Sequence, residues 1–262
     1  MTDHAKEYSL LPFAICQAWQ LEVGYERSFK VVQGRVLANR YLIGIPTATL
    51  THERAREIAR RLGMPELDDQ IFWSLYPDAN LLLIGFEDSE PGCVFKLYLE
   101  FDDQPIVVAE HSAGPSLRLH RGVKWNVGGV PKPRASDYVW MKGCRLSEIG
   151  QHIDSVIGGM SIESELRELI QHATRDVAGD SLRYLEVVEG GRRSFDLNLY
   201  ATGLQVGAVM GLCRAACVRL GVPAEPIDRL AAIVAKRPLG HLAAGRDSAG
   251  NEFFTIYYEP SP

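Results

Sequence analysis

Long apolar runs are missing from this 262-residue chain. Stretches such as Asn80 to Phe86 are short, well below the roughly 20 residues a membrane-crossing helix needs. The N-terminal MTDHAKEYSLL lacks a basic-then-apolar leader, so the expectation is a cytoplasmic protein with no membrane partner. No CxxC occurs, and the cysteines (Cys16, Cys93, Cys144, Cys213, Cys217) are odd in number. They read as reduced thiols, not as a disulfide frame or a zinc site. Cys213 and Cys217 stand one helical turn apart with no further ligand near them in sequence, as small residues packing a helix on a sheet would. HExxH, P-loop and GxGxxG patterns are all absent, so no organic cofactor is expected. There is no DDxxD clamp for a metal and a diphosphate, and Asp68-Asp69 reads as acids favoured by the start of a helix. The net charge of −5 lacks the cationic excess of a nucleic-acid binder.

What is present is an ordinary globular balance, 46% apolar and 23% charged, which excludes a wholly disordered chain. One domain over residues 1–262 is expected. An internal repeat organises it. Arg61-Leu62-Gly63-Met64-Pro65 returns as Arg219-Leu220-Gly221-Val222-Pro223, Gly85 as Gly245, Tyr98 as Tyr257 and Glu100 as Glu259, at offsets of 158 to 160 residues. In the first copy a helix runs from Thr51, its N-cap, to Leu62, and Gly63 stops it. Pro65 opens a second helix that ends before Pro77. A hairpin follows, Asn80 to Glu87 with Val94 to Phe101, turning through Pro91-Gly92. The second copy repeats this with helices Leu204–Leu220 and Pro226–Ala235 and a hairpin about Asp247–Gly250. A weaker unit between them has helices Leu146–Ile157 and Ile162–Asp176 and strands Leu182–Val188 and Ser194–Ala201. The first helix, about Asp3 to Trp19, leads into the hairpin Tyr25–Gln33 with Arg35–Ile45. Strands at Pro105–Glu110, Ser116–Val127 and Tyr138–Lys142 bring the count to ten or eleven, and Gly128–Pro133 reads as a loop. Neighbouring hairpins interrupted by helix pairs do not give a parallel βαβ sheet. They suggest one α+β architecture, an antiparallel sheet closed into a barrel and covered by helices.

Alternation along the strands separates two faces. In Val94–Phe101, Phe95, Leu97, Leu99 and Phe101 oppose Val94, Lys96, Tyr98 and Glu100. Arg118, His120, Lys124 and Asn126 share one face, as do Tyr138, Trp140 and Lys142. If helices cover the apolar face of a closed sheet, the polar face points inward, and cations and rings there describe a binding cavity and not a filled core. The plainer alternative is an open sheet whose polar face meets water. The recurrence of tyrosine at Tyr98, Tyr200 and Tyr257 favours the enclosed reading.

The Lys96-x-Tyr98 strand, its echoes Asn198-x-Tyr200 and Thr255-x-Tyr257, and the opening hairpin Glu26-Arg-Ser-Phe-Lys with Ala38-Asn-Arg40-Tyr make the chain resemble the ABBA-fold prenyltransferases. That hairpin is similar to the one in the smaller bacterial, cyanobactin-type members, and the likeness runs from about residue 24 to 258. It implies a ten-stranded antiparallel barrel ringed by helices. The reaction it implies moves an isoprenyl group, dimethylallyl or geranyl, from its diphosphate to an aromatic, guanidine or peptide side-chain acceptor. On that resemblance Lys96, Arg40, Lys124 and Lys142 would hold the diphosphate, with Arg118 a further candidate. Tyr98, Tyr200 and Tyr257 would shield the allylic cation. Glu26 would be the base, and Trp140 and His120 would line the acceptor pocket. Mg2+ is expected only as the diphosphate's counter-ion, with no dedicated ligand cluster. Each residue also has a plain reading as a solvated strand lysine, a sheet tyrosine or a surface carboxylate. The rival classes are a non-catalytic barrel that carries or senses a hydrophobic or anionic small molecule, and a lyase or isomerase on a similar barrel.

Overall fold

The computed structural model describes residues 3–65, 70–89, 92–111, 114–127, 133–178 and 181–259. Asp68-Asp69, Pro91 and most of the Gly128–Pro133 segment lie outside the described residues. The chain begins with helix α1 (Asp3–Ala18) and the hairpin β1 (Gly24–Val32) and β2 (Arg35–Pro46). Helices α2 (His52–Arg61) and α3 (Gln70–Ser74) precede strands β3 (Leu81–Ser89), β4 (Gly92–Glu100), β5 (Ile106–His111), β6 (Gly114–Asn126) and β7 (Arg134–Met141). Then come α4 (Leu146–Ile157), α5 (Glu163–Thr174), β8 (Arg183–Glu189), β9 (Arg192–Asn198), α6 (Met210–Arg219), α7 (Ala224–Val234), β10 (Leu239–Arg246) and β11 (Glu252–Tyr258).

The repeat seen in sequence is a repeat of helix endings. Thr51 caps α2, its hydroxyl accepting from the Arg54 N–H. At the other end Gly63 takes φ +68°. Its N–H bonds the Arg60 carbonyl while the Met64 N–H bonds the Ala59 carbonyl. Helix α6 ends the same way: Gly221 at φ +66°, with Gly221 N–H to Val218 and Val222 N–H to Cys217. This paired closure needs a left-handed residue, which is why glycine stands at both places.

The strands form one sheet in the order β4-β3-β2-β1-β11-β10-β9-β8-β7-β6-β5, and β4 also pairs with β6. That extra pairing closes ten strands into an antiparallel barrel and leaves β5 as an eleventh strand attached to β6. The fold is therefore the helix-covered barrel expected from the sequence. Three elements differ in extent. β9 stops at Asn198, so Tyr200 falls in a 3-10 turn, Tyr200–Thr202, and not on a strand. β7 stops at Met141, and Lys142 occupies the turn beyond it. The long helix expected from Leu204 divides into a 3-10 turn, Val206–Ala208, and α6.

Two compact units make up the described chain. The first holds residues 1–26, 39–107 and 118–138, the second 27–38, 108–117 and 139–262. In the first unit, Ile43, Ile45, Leu82, Ile84, Phe95, Leu97 and Leu99 pack with Ala55, Ile58 and Ala59 of α2. In the second, Phe195, Leu197, Leu242, Phe254 and Ile256 pack with residues of α4 to α7. In each unit the apolar strand face is thus covered by helices, and the polar face is the one turned away from them.

Candidate active site

In the first unit the site is built on β2, β3, β4 and β6, because their registers bring polar residues of one face into rows. Arg40 stands opposite Glu87, Gly85 opposite Lys96, and Lys96 opposite Lys124. Directly opposed lysines on one sheet face repel each other unless an anion lies close. Glu87 supplies one. Its Oε2 lies 3.0 Å from Arg40 Nε and 2.9 Å from Lys96 Nζ. Arg40 and Glu87 are buried and the Lys96 side chain is only 15% exposed. A carboxylate so placed fixes both cations in a sheltered site where charge–charge and hydrogen-bond terms are stronger than in water.

The next rows continue the face. Tyr98 lies opposite Leu83 on one side and Gly122 on the other. A Cβ at Gly122 would come within 2.5 Å of the Tyr98 ring, so glycine there is what lets the ring lie over β6. Tyr98 meets Tyr138 edge-on at 5.8 Å, and Tyr138 meets His120 edge-on at 5.6 Å. Glu100 lies opposite His120, with Oε2 3.5 Å from Nδ1. Arg118 does not join the cation group. It pairs with Asp137 at 2.8 Å, and Arg121 takes the other oxygen of that carboxylate at 3.1 Å.

Of the residues expected from sequence, the first unit therefore brings together Arg40, Lys96 and Lys124, followed by Tyr98 and His120. Glu26 is half-buried on β1, on the strand face it shares with Ser28 and Lys30. Lys142, Trp140, Tyr200 and Tyr257 belong to the second unit. There Lys142 Nζ lies 5.5 Å and the Arg183 guanidinium 5.3 Å from the centre of the Trp140 ring. Lys142 itself is exposed. Tyr200 is 36% exposed and Tyr257 half-buried, and both meet His241 nearly edge-on, at 5.4 and 5.8 Å. His241 Nδ1 is 2.7 Å from Asp196 Oδ1.

Sequence reasoning missed Glu87, Asp196 and His241, and it gave Glu100 no place among the candidate site residues. Glu87 follows an apolar run, and its role depends on the β2–β3–β4 register. Asp196 did fall on the polar face of its strand, a usable signal, but its partner His241 lies 45 residues away. Glu100 is a site-face residue because β6 places His120 across from it.

A closed antiparallel barrel with helices over its apolar face and cations and phenols on the other is the ABBA architecture. Solved structures with that architecture match the chain. PriB, in a binary complex with product diphosphate, superposes at TM-score 0.58 with 16% identity, over 90% of this chain and 79% of its own. NotF in complex with brevianamide F and DMSPP matches at 0.57 with 11% identity, over 90% and 79%. A 6-dimethylallyl tryptophan synthase matches at 0.57 with 16% identity, over 91% and 82%. No protein-family model and no curated protein sequence matches the chain.

Proposed function

We propose that this protein is a prenyltransferase. It moves a dimethylallyl or geranyl group from its diphosphate to an aromatic, guanidine or peptide side-chain acceptor. The observation that carries the reading is the cross-strand group Arg40, Lys96 and Lys124 about Glu87, with Tyr98 in the adjoining row. Two opposed lysines and an arginine on a face turned from the helices suit a multiply charged anion better than they suit an apolar guest. Supporting it are the diphosphate in the PriB complex and DMSPP in the NotF complex.

In this reading the cations hold the diphosphate while its bond to the allylic carbon breaks, and they stabilise the charge that develops on the leaving oxygen. Tyr98 can present a ring face that stabilises a cation without trapping it covalently, at about 0.5–2 kcal/mol per contact. Tyr200, Tyr257 and Trp140 offer the same surface in the second unit, and His120 extends the polar row. Lys142, being exposed, is the weakest member of the diphosphate set. Glu26 is the carboxylate the resemblance assigns to proton removal. Among the described residues no group of three or more His, Cys, Asp or Glu side chains is placed to hold a metal. Mg2+ enters this proposal as a counter-ion carried by the substrate, and no step runs through it.

The test is incubation of the purified protein with dimethylallyl or geranyl diphosphate, Mg2+ and a panel of tryptophan, phenol and guanidine acceptors, read by mass spectrometry. A product heavier by one prenyl unit, lost in Lys96→Ala, is expected. Tight binding of a lipid or diphosphate with no transfer would instead make the protein a carrier.

A further inference from the structure

We infer that the outer face of α2 docks an extended acidic peptide whose carboxylates stand three or four residues apart. The face is a positive island: within His52–Arg61 four arginines outnumber two glutamates, in a chain whose net charge is −5. Ala55, Ile58 and Ala59 are buried in the first unit's core, while Arg54, Arg56, Arg60 and Arg61 are exposed. Periodicity sorts these arginines onto two flanks. At 3.6 residues per turn, Arg54 and Arg61 project at nearly the same angle. Arg56 stands about 160° round the axis from Arg54, on the flank it shares with His52. Each flank has its indole. The Arg54 and Arg61 guanidiniums are 5.3 and 5.2 Å from the centre of the Trp19 ring, and the Arg56 guanidinium is 5.2 Å from that of Trp73. Both indoles are half-buried. His52 stacks on Tyr76 with ring centres 5.0 Å apart, and its Nε2 accepts from Arg56 Nε at 3.2 Å. All of these residues belong to the first unit.

The partner's chemistry follows from which charges are already met. Arg60 and Arg61 share Glu57, their Nε atoms lying 2.7 and 2.8 Å from its oxygens. Arg54 and Arg56 form no ion pair among the described residues. A guanidinium held against an indole is fixed in place with N–H groups still able to donate, and its planar fork matches a carboxylate. A helix with its side chains is about 10–12 Å across, which sets the scale of the gap between the two flanks. An extended chain advances about 3.3 Å per residue, so three or four residues carry a peptide from Arg54 to Arg56 across the helix. Glu53 and Glu57 lie on the arc between the flanks. The residues between the peptide's carboxylates must therefore be neutral. That requirement separates a spaced acidic peptide from a nucleic acid or an anionic membrane, whose dense charge would meet both glutamates and the repulsion of a net negative chain.

The experiment titrates the full chain into a fluorescein-labelled Ser/Gly peptide with a glutamate at every third position, read by fluorescence anisotropy. The control peptide carries the same number of glutamates in one block. The spaced peptide should bind more tightly than the block, and binding should weaken as salt rises from about 0.05 to 0.5 M. Arg54→Gln with Arg56→Gln should weaken it about tenfold or more, with the circular dichroism of the wild type retained. Arg54→Lys with Arg56→Lys keeps the charge but loses the planar fork, and should fall between the two. Arg54→Glu with Arg56→Glu should lose the acidic peptide and gain its lysine counterpart. Wild-type protein that binds neither peptide overturns the proposal, as does a glutamine double variant that binds as tightly as the wild type. Tighter binding of the block than of the spaced peptide overturns the crossing geometry and the proposal with it. Tighter binding of a single-stranded oligonucleotide or of phosphatidylserine vesicles than of the spaced peptide would assign the face to a nucleic acid or a membrane instead.

Discussion

At the scale of single residues, Glu87 decides how the cationic group behaves. Buried ion pairs contribute little net stability when intact but cost about 3–5 kcal/mol when one partner is removed, because a charge is left without its counter-ion. Glu87 serves two cations at once, Arg40 and Lys96. Glu87→Gln is therefore expected to destabilise the ligand-free protein by roughly that amount, measured by urea denaturation. Lys96→Met is expected to cost less, since Glu87 keeps Arg40. This residue also marks a limit of sequence reading. Lys96 and Tyr98 were legible because strict alternation along β4 puts them on one face. Glu87 was not, because nothing within its own strand says which cations the neighbouring strands will bring to it.

Elements carry constraints that no isolated residue shows. The Tyr98 ring lies against β6 only because position 122 has no side chain, since a Cβ there would meet the ring at 2.5 Å. Gly122→Ala must push the ring aside, an overpacking effect of about 1–3 kcal/mol. The same shift should weaken donor turnover more than donor binding, which separate kcat and KM measurements will distinguish. A second element-level prediction concerns the β10–β11 hairpin. Burial would raise the Asp247 carboxyl, but the N–H groups of Asn251 and Ala249, the Asn251 amide and the charge of Lys30 outweigh it and hold its pKa below the usual value. A carboxyl depressed in the folded state stabilises the fold at pH above its unfolded pKa, and that contribution is lost as pH falls through the folded value. Asp247→Ala should therefore destabilise the protein at pH 7 by about 1–2 kcal/mol. Denaturation midpoints of the two proteins should converge as the pH is taken below about 4. The helix endings at Gly63 and Gly221 and most strand bounds were legible from local signals. Tyr200 was not, because the strand's end at Asn198 is set by the Asn198 side chain, whose Oδ1 accepts the Tyr200 N–H, and by the bridge of Gln205 to Pro238.

For the whole molecule, the sequence repeat made the order of hairpins readable, and closure was an inference from neighbouring hairpins that each join the next between helix pairs. The strand that closes the barrel, β6 against β4, was beyond reach, since that register depends on packing between segments about 28 residues apart at the Lys96–Lys124 row. So was the division into two compact units, which no Gly/Pro-rich linker announces. If the cation group holds the donor in the folded chain alone, donor binding and folding are linked. A ligand that binds only the native state adds RT ln(1 + [L]/Kd), or about 2.7 kcal/mol at a hundredfold excess over Kd. For a protein of this size each kcal/mol raises Tm by roughly 2–4 °C, so a non-ionising thiolodiphosphate donor analogue should raise Tm by about 5–10 °C. The shift should be largely abolished in Arg40→Ala and Lys96→Ala. It should be larger in Glu87→Gln than in the wild type, because there the analogue's negative charge replaces the missing carboxylate. A shift that is equal in Lys96→Ala and in the wild type would place the anion elsewhere. A shift given by an isoprenyl alcohol as readily as by the analogue would mean that the prenyl chain, not its charged group, is what this protein recognises.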